Sequence, residues 1–291
     1  MITPIIYLNG QFLTADEAKI SPFDRGFLFA HAAYEVTAVY NGQLIDFDAH
    51  LARLGRTLDG LEIPHLPDDL VQLHKDLIAR NKLTEGLVYL QITAGNYGFR
   101  DFYGPEDFTP SVFMFTTEKP LIGDVARNGL TAITLPDTRW TRRDMKTTQL
   151  VSQTLAYRKA RRAGADTAFL HEGGMITEAA SANAWIVLED GALVTRDLSN
   201  ALLPGITRQT LLSILAEAGL RTEERAFTVA EAKSAAECFT SSTGVVIAPV
   251  LKLDDTVIGT GKPGPVIRAV QRAYYTYIGA DVASVAPWAL P

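Results

Sequence analysis

The sequence predicts an α+β protein of two domains, and three observations predict it. The chain has 291 residues, against about 100–200 residues for a typical domain. Segments alternating apolar and polar residues interleave with stretches of helical period. A Pro/Gly-bearing break, "KPLIGD" at 119–124, separates a first set of such segments from a second. The expected organisation is a small α+β domain over 1–118, a linker over 119–124 and a larger domain over 125–291.

Taken in order, "IIYLNGQFL" alternates about Asn9-Gly10, the signal of a hairpin. "YEVTAVYNGQLIDF" repeats it about Asn41-Gly42. "DAHLARLGRTLDGL" places Asp48 as an N-cap and Leu51, Leu54 and Leu58 on one stripe. "PDDLVQLHKDLIARNKL" predicts a second amphipathic helix starting after Pro67. "GLVYLQITAG" and "PSVFMFTTE" predict strands. Beyond the break come a strand, "LTAITL", and a helix ending near Ala163. A hairpin "TAFLHEGGMIT" and a strand pair "AWIVLEDGALVT" follow. "GITRQTLLSILAEAG" is a helix, further strands come next, and "PVIRAVQRAYYTYIG" is the last helix, with "APWALP" expected to be loose. The glycines of "GTGKPGP" match a dinucleotide fingerprint. Pro263 and Pro265 interrupt it, however, and too little chain follows for the βαβ unit that fingerprint needs. The segment is a turn leading into the last helix, with Pro265 near its first position.

Composition narrows the function. Hydrophobic residues make up 47% and charged residues 21%, an ordinary globular balance. The net charge of −6 offers no footprint for nucleic acid. "RKARR" at 158–162 lies towards a helix C-terminus, where cations suit the dipole. The single cysteine, Cys238, rules out an intrachain disulfide, and the histidines show no HxxxH spacing for a metal. No basic, apolar leader opens the chain, and no apolar run approaches the roughly 20 residues of a membrane span. The expectation is a soluble, cytoplasmic protein.

Four features could carry chemistry. Lys146 stands at the joint between a strand and a helix, just after Arg139, Arg142 and Arg143. A lone lysine is ordinarily a solvated side chain, but one held at the mouth of a sheet can act as a nucleophile toward carbonyls. Gly205-Ile206-Thr207 opens a helix, so its N–H groups and the Thr207 hydroxyl suit a phosphate. "TSSTG" at 240–244 is a second hydroxyl cluster, and Arg53, off the leucine stripe, is a candidate bidentate phosphate ligand. Glu178 is flanked by Ala179, Ala180, Ser181 and Ala182, a bed of small residues on which a flat ring could rest. A carboxylate there would keep a pyridine nitrogen protonated. Lysine, ring-nitrogen carboxylate and phosphate cup are together the requirements of pyridoxal phosphate. Each also has a bland reading as a turn or a capped helix.

With these motifs in view, the chain resembles the fold-type IV pyridoxal-phosphate enzymes, most closely the D-amino acid transaminases. The likeness runs in order through "YLNGQFL", "SPFDRGFLF", "YEVTAVYNGQLIDFDAHLARL" and "RWTRRDMK", then "ITEAASANAWIV", "LLPGITR" and "CFTSSTG", nearly the whole chain. It implies a small α+β domain, a larger pseudo-barrel domain with the cofactor lying between them, and a homodimer. It implies that Lys146 forms the Schiff base and shifts the proton, and that Glu178 pairs with the ring nitrogen. Arg53, Gly205, Ile206, Thr207, Ser242 and Thr243 would hold the phosphate, and Ser181, Asn183 and Leu203 would line the cofactor. The implied reaction is transfer of an amino group from a D-amino acid, such as D-alanine, to a 2-oxo acid by a ping-pong route.

The chain also departs from the family pattern. Ala30-His31-Ala32 replaces the usual Gly-Asp-Gly. Tyr34 matches the substrate tyrosine, Arg100 fills the arginine of an Arg-x-His pair only with a one-residue shift, and Phe102 replaces the histidine. Arg143 stands where a smaller neutral residue is common. The expected substrate residues are therefore Tyr34 and Arg100, with His31 and Arg143 as compensating groups. An altered carboxylate trap keeps an (R)-amine transaminase open beside a branched-chain L-amino acid transaminase and an aminodeoxychorismate lyase. The "YEV" at 34–36 leans away from the lyase. A binding protein that merely kept the fold is disfavoured by the presence of Lys146 and Glu178.

Overall fold

The computed structural model describes residues 4–64 and 67–291. Its contacts divide the chain into two units. The first takes in the chain up to Leu121 together with Met145–Leu150, and the second holds Ile122–Asp144 and Val151–Pro291. Lys146 thus belongs with the N-terminal unit.

The first unit is built from β1 (Ile5–Leu8), β2 (Gln11–Thr14), α1 (Arg25–Phe29), β3 (Ala32–Tyr40) and β4 (Gln43–Leu44), then α2 (Phe47–Gly60), α3 (Leu70–Asn81), β5 (Gly86–Thr93) and β6 (Ser111–Glu118). Its strands form one antiparallel sheet in the order β2-β1-β6-β5-β3-β4. The hairpins turn at Asn9-Gly10 and Asn41-Gly42, as the alternation requires. Leu54 and Leu58 of α2 and Leu73 and Leu77 of α3 are buried in one core with Val88, Leu90 and Ile92 of β5. Each such side chain contributes about 1.5–3 kcal/mol by leaving water. The amide of Asn81 closes α3 onto β1, accepting from Ile5 N at 2.9 Å and donating to Ile5 O at 2.8 Å.

The second unit opens with α4 (Asp124–Asn128), β7 (Leu130–Pro136), α5 (Val151–Arg162), β8 (Thr167–Glu172) and β9 (Met175–Ala179). It continues through β10 (Asn183–Val187), β11 (Leu193–Thr195), α6 (Ile206–Glu217), β12 (Thr222–Glu224) and α7 (Val229–Ser234). It closes with β13 (Glu237–Ser242), β14 (Val246–Leu253), β15 (Thr256–Val257), α8 (Pro265–Tyr277), and two short helical turns at Val282–Val285 and Pro287–Ala289. The strands run β12-β11-β10-β13-β14-β7-β8-β9, with β15 on β14. The β11–β12, β14–β7 and β7–β8 pairs are parallel and the rest antiparallel. Beyond β9 the chain turns straight into β10, Ala179 N donating to Ala182 O at 2.8 Å, so the sheet curls on itself as a pseudo-barrel. Phe169, Ile176, Ile186, Val194, Phe227 and Val250 fill its core.

Several local expectations are corrected. Asp46, not Asp48, is the N-cap of α2; its backbone is left-handed (φ 54°), and Asp48 falls in the first turn, where its charge still favours the dipole. The second helix begins at Leu70 because Asp68 and Asp69 are taken up in a turn. The "APWALP" end is not loose. Ala286 and Ala289 are fully buried, and the carbonyl of Ala289 accepts from Arg272. The helices α1, α4 and α7 escape a periodicity argument because five or six residues are too few to display a period. Two carry a local capping signature: Asp24 caps α1 by accepting from Gly26 N at 2.8 Å, and α7 has the reciprocal capping box of Thr228 and Glu231. The "GTGKPGP" turn does lead into α8, with Pro265 at its start. Gly264 is required there, since a Cβ would meet Cδ of Glu237 at 2.2 Å. That carboxylate accepts from the N–H groups of Val266 (2.9 Å) and Ile267 (2.8 Å). Among the described residues no helix is long and apolar enough to cross a membrane.

One buried histidine makes the first unit acid-sensitive. His74 on α3 donates from Nδ1 to Leu70 O at 2.7 Å and packs edge-on against Phe47. Burial holds its imidazole down at about 4, from an ordinary value of 6.5. The unfolded chain therefore takes up this proton first. The contribution is whole above pH 6.5 and is lost as pH falls toward 4, an effect on the order of 3 kcal/mol. Urea unfolding at a series of pH values across that window should show the decline, and a His74→Gln variant should show a shallower one. Parallel curves for the two proteins would refute the assignment.

Candidate active site

Lys146 follows β7 and precedes α5 in sequence, yet it is laid along β3. Tyr34 N donates to Lys146 O at 3.0 Å, Thr148 N donates to Ala32 O at 3.1 Å, and Ala33 bridges Thr147. Thr57 of α2 joins in, its hydroxyl accepting from Lys146 N at 3.2 Å and donating to Arg53 O at 3.1 Å. The backbone of the lysine is thus bound on both sides. Its Nζ stands 4.2 Å from the centre of the Tyr34 ring, a cation–π contact. Tyr34 in turn stacks on Tyr89, and Tyr89 on Phe115.

Strand alternation sends Glu35, next to Tyr34, to the opposite face of β3, where α2 packs. Glu35 is 2% exposed. Its Oε1 accepts from Nε of Arg53 and its Oε2 from NH2 of Arg53, both at 2.7 Å, and Oε2 also accepts from Nδ1 of His50 at 2.7 Å. Burial alone would raise this carboxyl, but the charge and hydrogen bonds of Arg53 and His50 outweigh it and hold Glu35 at about 2. His50 is pushed down by burial against the pull of Glu35. Arg53, expected off the leucine stripe, is buried on α2 along with Leu54 and Leu58 and carries a bidentate carboxylate partner that its place in the sequence does not announce.

In the second unit, Glu178 near the end of β9 is 4% exposed. Its Oε1 accepts from Arg139 NH1, and its Oε2 accepts from Asn183 Nδ2 at 3.2 Å and Leu203 N at 3.3 Å. Burial raises its carboxyl above the ordinary range while Arg139 pulls it back. Arg139 is itself held by Asp137. The backbone N (3.1 Å) and Nε (3.0 Å) donate to Oδ1, and NH2 donates to Oδ2 at 2.7 Å. The Thr177 hydroxyl also donates to Oδ2, at 2.7 Å. Burial opposes ionisation of Asp137, and the hydrogen bonds and charge of Arg139 overcome it, leaving that carboxyl below its ordinary value. Sequence reasoning misses Asp137, Glu35 and His50, which carry no spacing that marks them, and sees Arg139 only as a neighbour of Lys146.

Asn183 links this carboxylate to the start of α6. Its Nδ2 also donates to Leu203 O at 2.9 Å, and its Oδ1 lies where a Cβ on Gly205 would fall, at 2.0 Å, so only glycine fits there. Gly205 is the N-cap and supplies no side-chain bond. The first N–H groups of a helix have no partner within it, and those of Ile206 and Thr207 therefore present an anion-binding end. The helix packs on β13, which ends at Ser242 with Thr243 next in the chain. Just beyond, Val246 is buried with φ 59°. A β-branched residue is rarely held in the left-handed region and costs about 1–3 kcal/mol there. Such strain collects at functional loops.

The remaining expected residues are placed as follows. Ser181 is exposed, and its hydroxyl is 2.5 Å from that of Tyr157. Arg143 is buried among acids. Its NH2 donates to Glu172 at 2.7 Å, and its Nε lies 3.5 Å from Asp137. His31 is engaged at both ring nitrogens, accepting at Nδ1 from Arg25 Nε (3.4 Å) and donating from Nε2 to Leu61 O (2.8 Å). Arg100 is exposed and rests its guanidinium against the rings of Phe29 and Phe102. Of the four substrate residues expected, Tyr34 stands beside Lys146.

Comparison with known proteins bears on this arrangement. The model of the family described as amino-transferase class IV matches residues 32–253. A D-alanine aminotransferase of Staphylococcus aureus (strain N315) is 34% identical over 275 residues, spanning 94% of this chain and 97% of that protein. Among solved structures, the branched-chain amino acid aminotransferase of Escherichia coli is alike in fold, with a TM-score of 0.87 at 24% identity, covering 95% of each chain. A hypothetical aminotransferase from Mycobacterium tuberculosis, solved in its PLP-bound form, gives 0.81 at 20% identity, covering 94% of this chain and 98% of that one. With the family model matched across most of its length, and a relative aligned nearly end to end, the chain belongs to the amino-transferase class IV family.

Proposed function

We propose that this protein is a pyridoxal-phosphate-dependent D-amino acid transaminase. It would transfer the amino group of a D-amino acid, D-alanine being the first candidate, to a 2-oxo acid in two alternating half-reactions. The observation that carries the reading is the buried Glu178, held by Arg139 and tied through Asn183 to the uncapped start of α6. The D-amino acid preference rests on the D-alanine aminotransferase relative.

The residues present fit the cofactor. Its phosphate needs donors without competing side chains, and Gly205 leaves the N–H groups of Ile206 and Thr207 open to an anion, with the hydroxyls of Ser242 and Thr243 as further donors. Its ring nitrogen needs an acceptor shielded from water, which Glu178 supplies. Pyridoxal phosphate, when bound, contributes an aldehyde that links covalently to amines and a ring that withdraws the electrons of the bond being broken. Lys146 Nζ is the amine for that link and the base that takes the proton from the substrate α-carbon. Arg53, held by both oxygens of Glu35, lends positive charge to the phosphate. Asn183 and Leu203 keep Glu178 in place. Ser181 is assigned a place at the cofactor's edge. Tyr34 and Arg100 are assigned to the substrate carboxylate. Arg143 and His31, each already partnered, act by shaping the elements they join. The assembly is assigned as a homodimer, a reading that exposed Phe27, Phe102 and Tyr103 on the first unit support.

A second reading, a branched-chain L-amino acid transaminase, is favoured by the fold likeness to the Escherichia coli enzyme. The visible spectrum of the holoenzyme separates the two. D-alanine should bleach the cofactor band, and a 2-oxo acid should then restore it, with L-leucine and an (R)-arylalkylamine at least about tenfold slower than D-alanine. Faster bleaching by L-leucine or by the amine would move the assignment to that donor. The band should not form covalently in Lys146→Ala.

Asp137 offers an independent check. Asp137→Asn removes the charge that orients Arg139, and charge-assisted bonds are worth about 1.5–3 kcal/mol. Cofactor titration of the apoprotein should show binding weakened about tenfold or more, and a change below about twofold would remove Asp137 from this role. In solution, light scattering on a sizing column should return the mass of two chains, and a single-chain mass would count against the dimer.

A further inference from the structure

Four cations of the second unit line one cavity of about 680 Å³: Arg127 on α4, Lys262 ahead of α8, and Arg268 and Arg272 on α8. Leu251 and Trp288 add an apolar wall. The lining shares no residue with the transaminase site. Among the described residues, none of the four cations has a side-chain carboxylate within ion-pairing distance. Their donors go to neutral groups. Arg268 bonds the carbonyls of Ala126 (3.2 Å) and Arg127 (2.7 Å) and the amide oxygen of Gln271 (2.8 Å). Arg272 bonds the carbonyl of Ala289, and Arg127 lies over the Trp288 indole at 5.6 Å.

Carbonyl and ring contacts fix the direction of a guanidinium without cancelling its charge. Burial, with the nearby charge of Arg127, holds Arg268 below its ordinary value, while Tyr275 and the carboxylate of Glu237 pull it back. Glu237, beneath Gly264, already accepts from the N–H groups of Val266 and Ile267. Four cations around one cavity leave a net positive charge here, which Glu237 offsets only in part. Planar guanidinium forks suit carboxylates, Lys262 adds a point charge, and the apolar wall suits a carbon skeleton. The volume is in the ordinary range for a small-molecule site.

We propose that this cavity binds a small di- or tricarboxylate, independently of the cofactor. The probe is citrate, titrated calorimetrically into the holoenzyme, whose filled cofactor site keeps the anion from the phosphate position. Ionic strength is held constant with sodium chloride. The wild-type protein should show saturable binding at one site per chain. Lys262→Glu and Arg127→Gln, both at exposed positions outside the transaminase residues, should each weaken it about tenfold or more and leave basal turnover unchanged. Melting temperatures measured without citrate confirm that the variants are folded. Absence of saturable binding in the wild type, or equal affinity in wild type and both variants, would overturn the proposal. Because the readout is heat and not turnover, its failure leaves the transaminase reading standing, and failure of that reading leaves the citrate result interpretable.

Discussion

An ionised carboxyl leaving water loses several kcal/mol of solvation unless donors replace that water, and the second unit is arranged around one such group. Glu178 collects Arg139, Asn183 and Leu203 N. Each partner then has its own requirement. Arg139 is aligned by Asp137, Asp137 is completed by Thr177, and Asn183 crowds position 205 so closely that only glycine can open α6. The uncapped helix end is therefore no isolated motif. It follows from the packing that holds the carboxylate.

The first unit meets the same constraint differently. Glu35 is sealed between β3 and α2 and satisfied by a bidentate arginine and a histidine from one helix. The three side chains pin α2 to the sheet by direction as well as by the apolar contact of Leu54 and Leu58. One turn further along α2, Thr57 ties Arg53 O to Lys146 N. The lysine's position is accordingly set by backbone bonds, which leave Nζ over Tyr34 with its own chemistry unspent.

Much of this is legible in the order of the amino acids. The two hairpin turns, the long helices and the strands of both units follow from periods of two and of 3.6 residues over short windows. Lys146, Glu178 and Gly205-Ile206-Thr207 can be named because each sits at a recognisable junction: strand to helix, hairpin to small-residue run, loop to helix. Asp137 and Arg139 cannot, since an aspartate and an arginine two residues apart in a loop look the same solvated or buried. Arg53 can be named, but its partner Glu35 lies 18 residues away on a strand whose alternation gives no hint of a buried charge. His31 and Arg143 are expected to reach for substrate, and both are taken up by neighbours instead.

The sequence by itself determined the class of fold, most element positions, the absence of an intrachain disulfide and the candidate lysine, Lys146. These depend on residues within a turn or two of one another. Tertiary structure alone decided which charged side chains leave water and with whom they pair, as when Arg139 meets Glu178 across 39 residues of chain. It also decided that Met145–Leu150 counts with the N-terminal unit. The physical reason is that a charge's cost of burial is set by the donors gathered around it. Those donors come from segments whose separation in sequence says nothing of their separation in space.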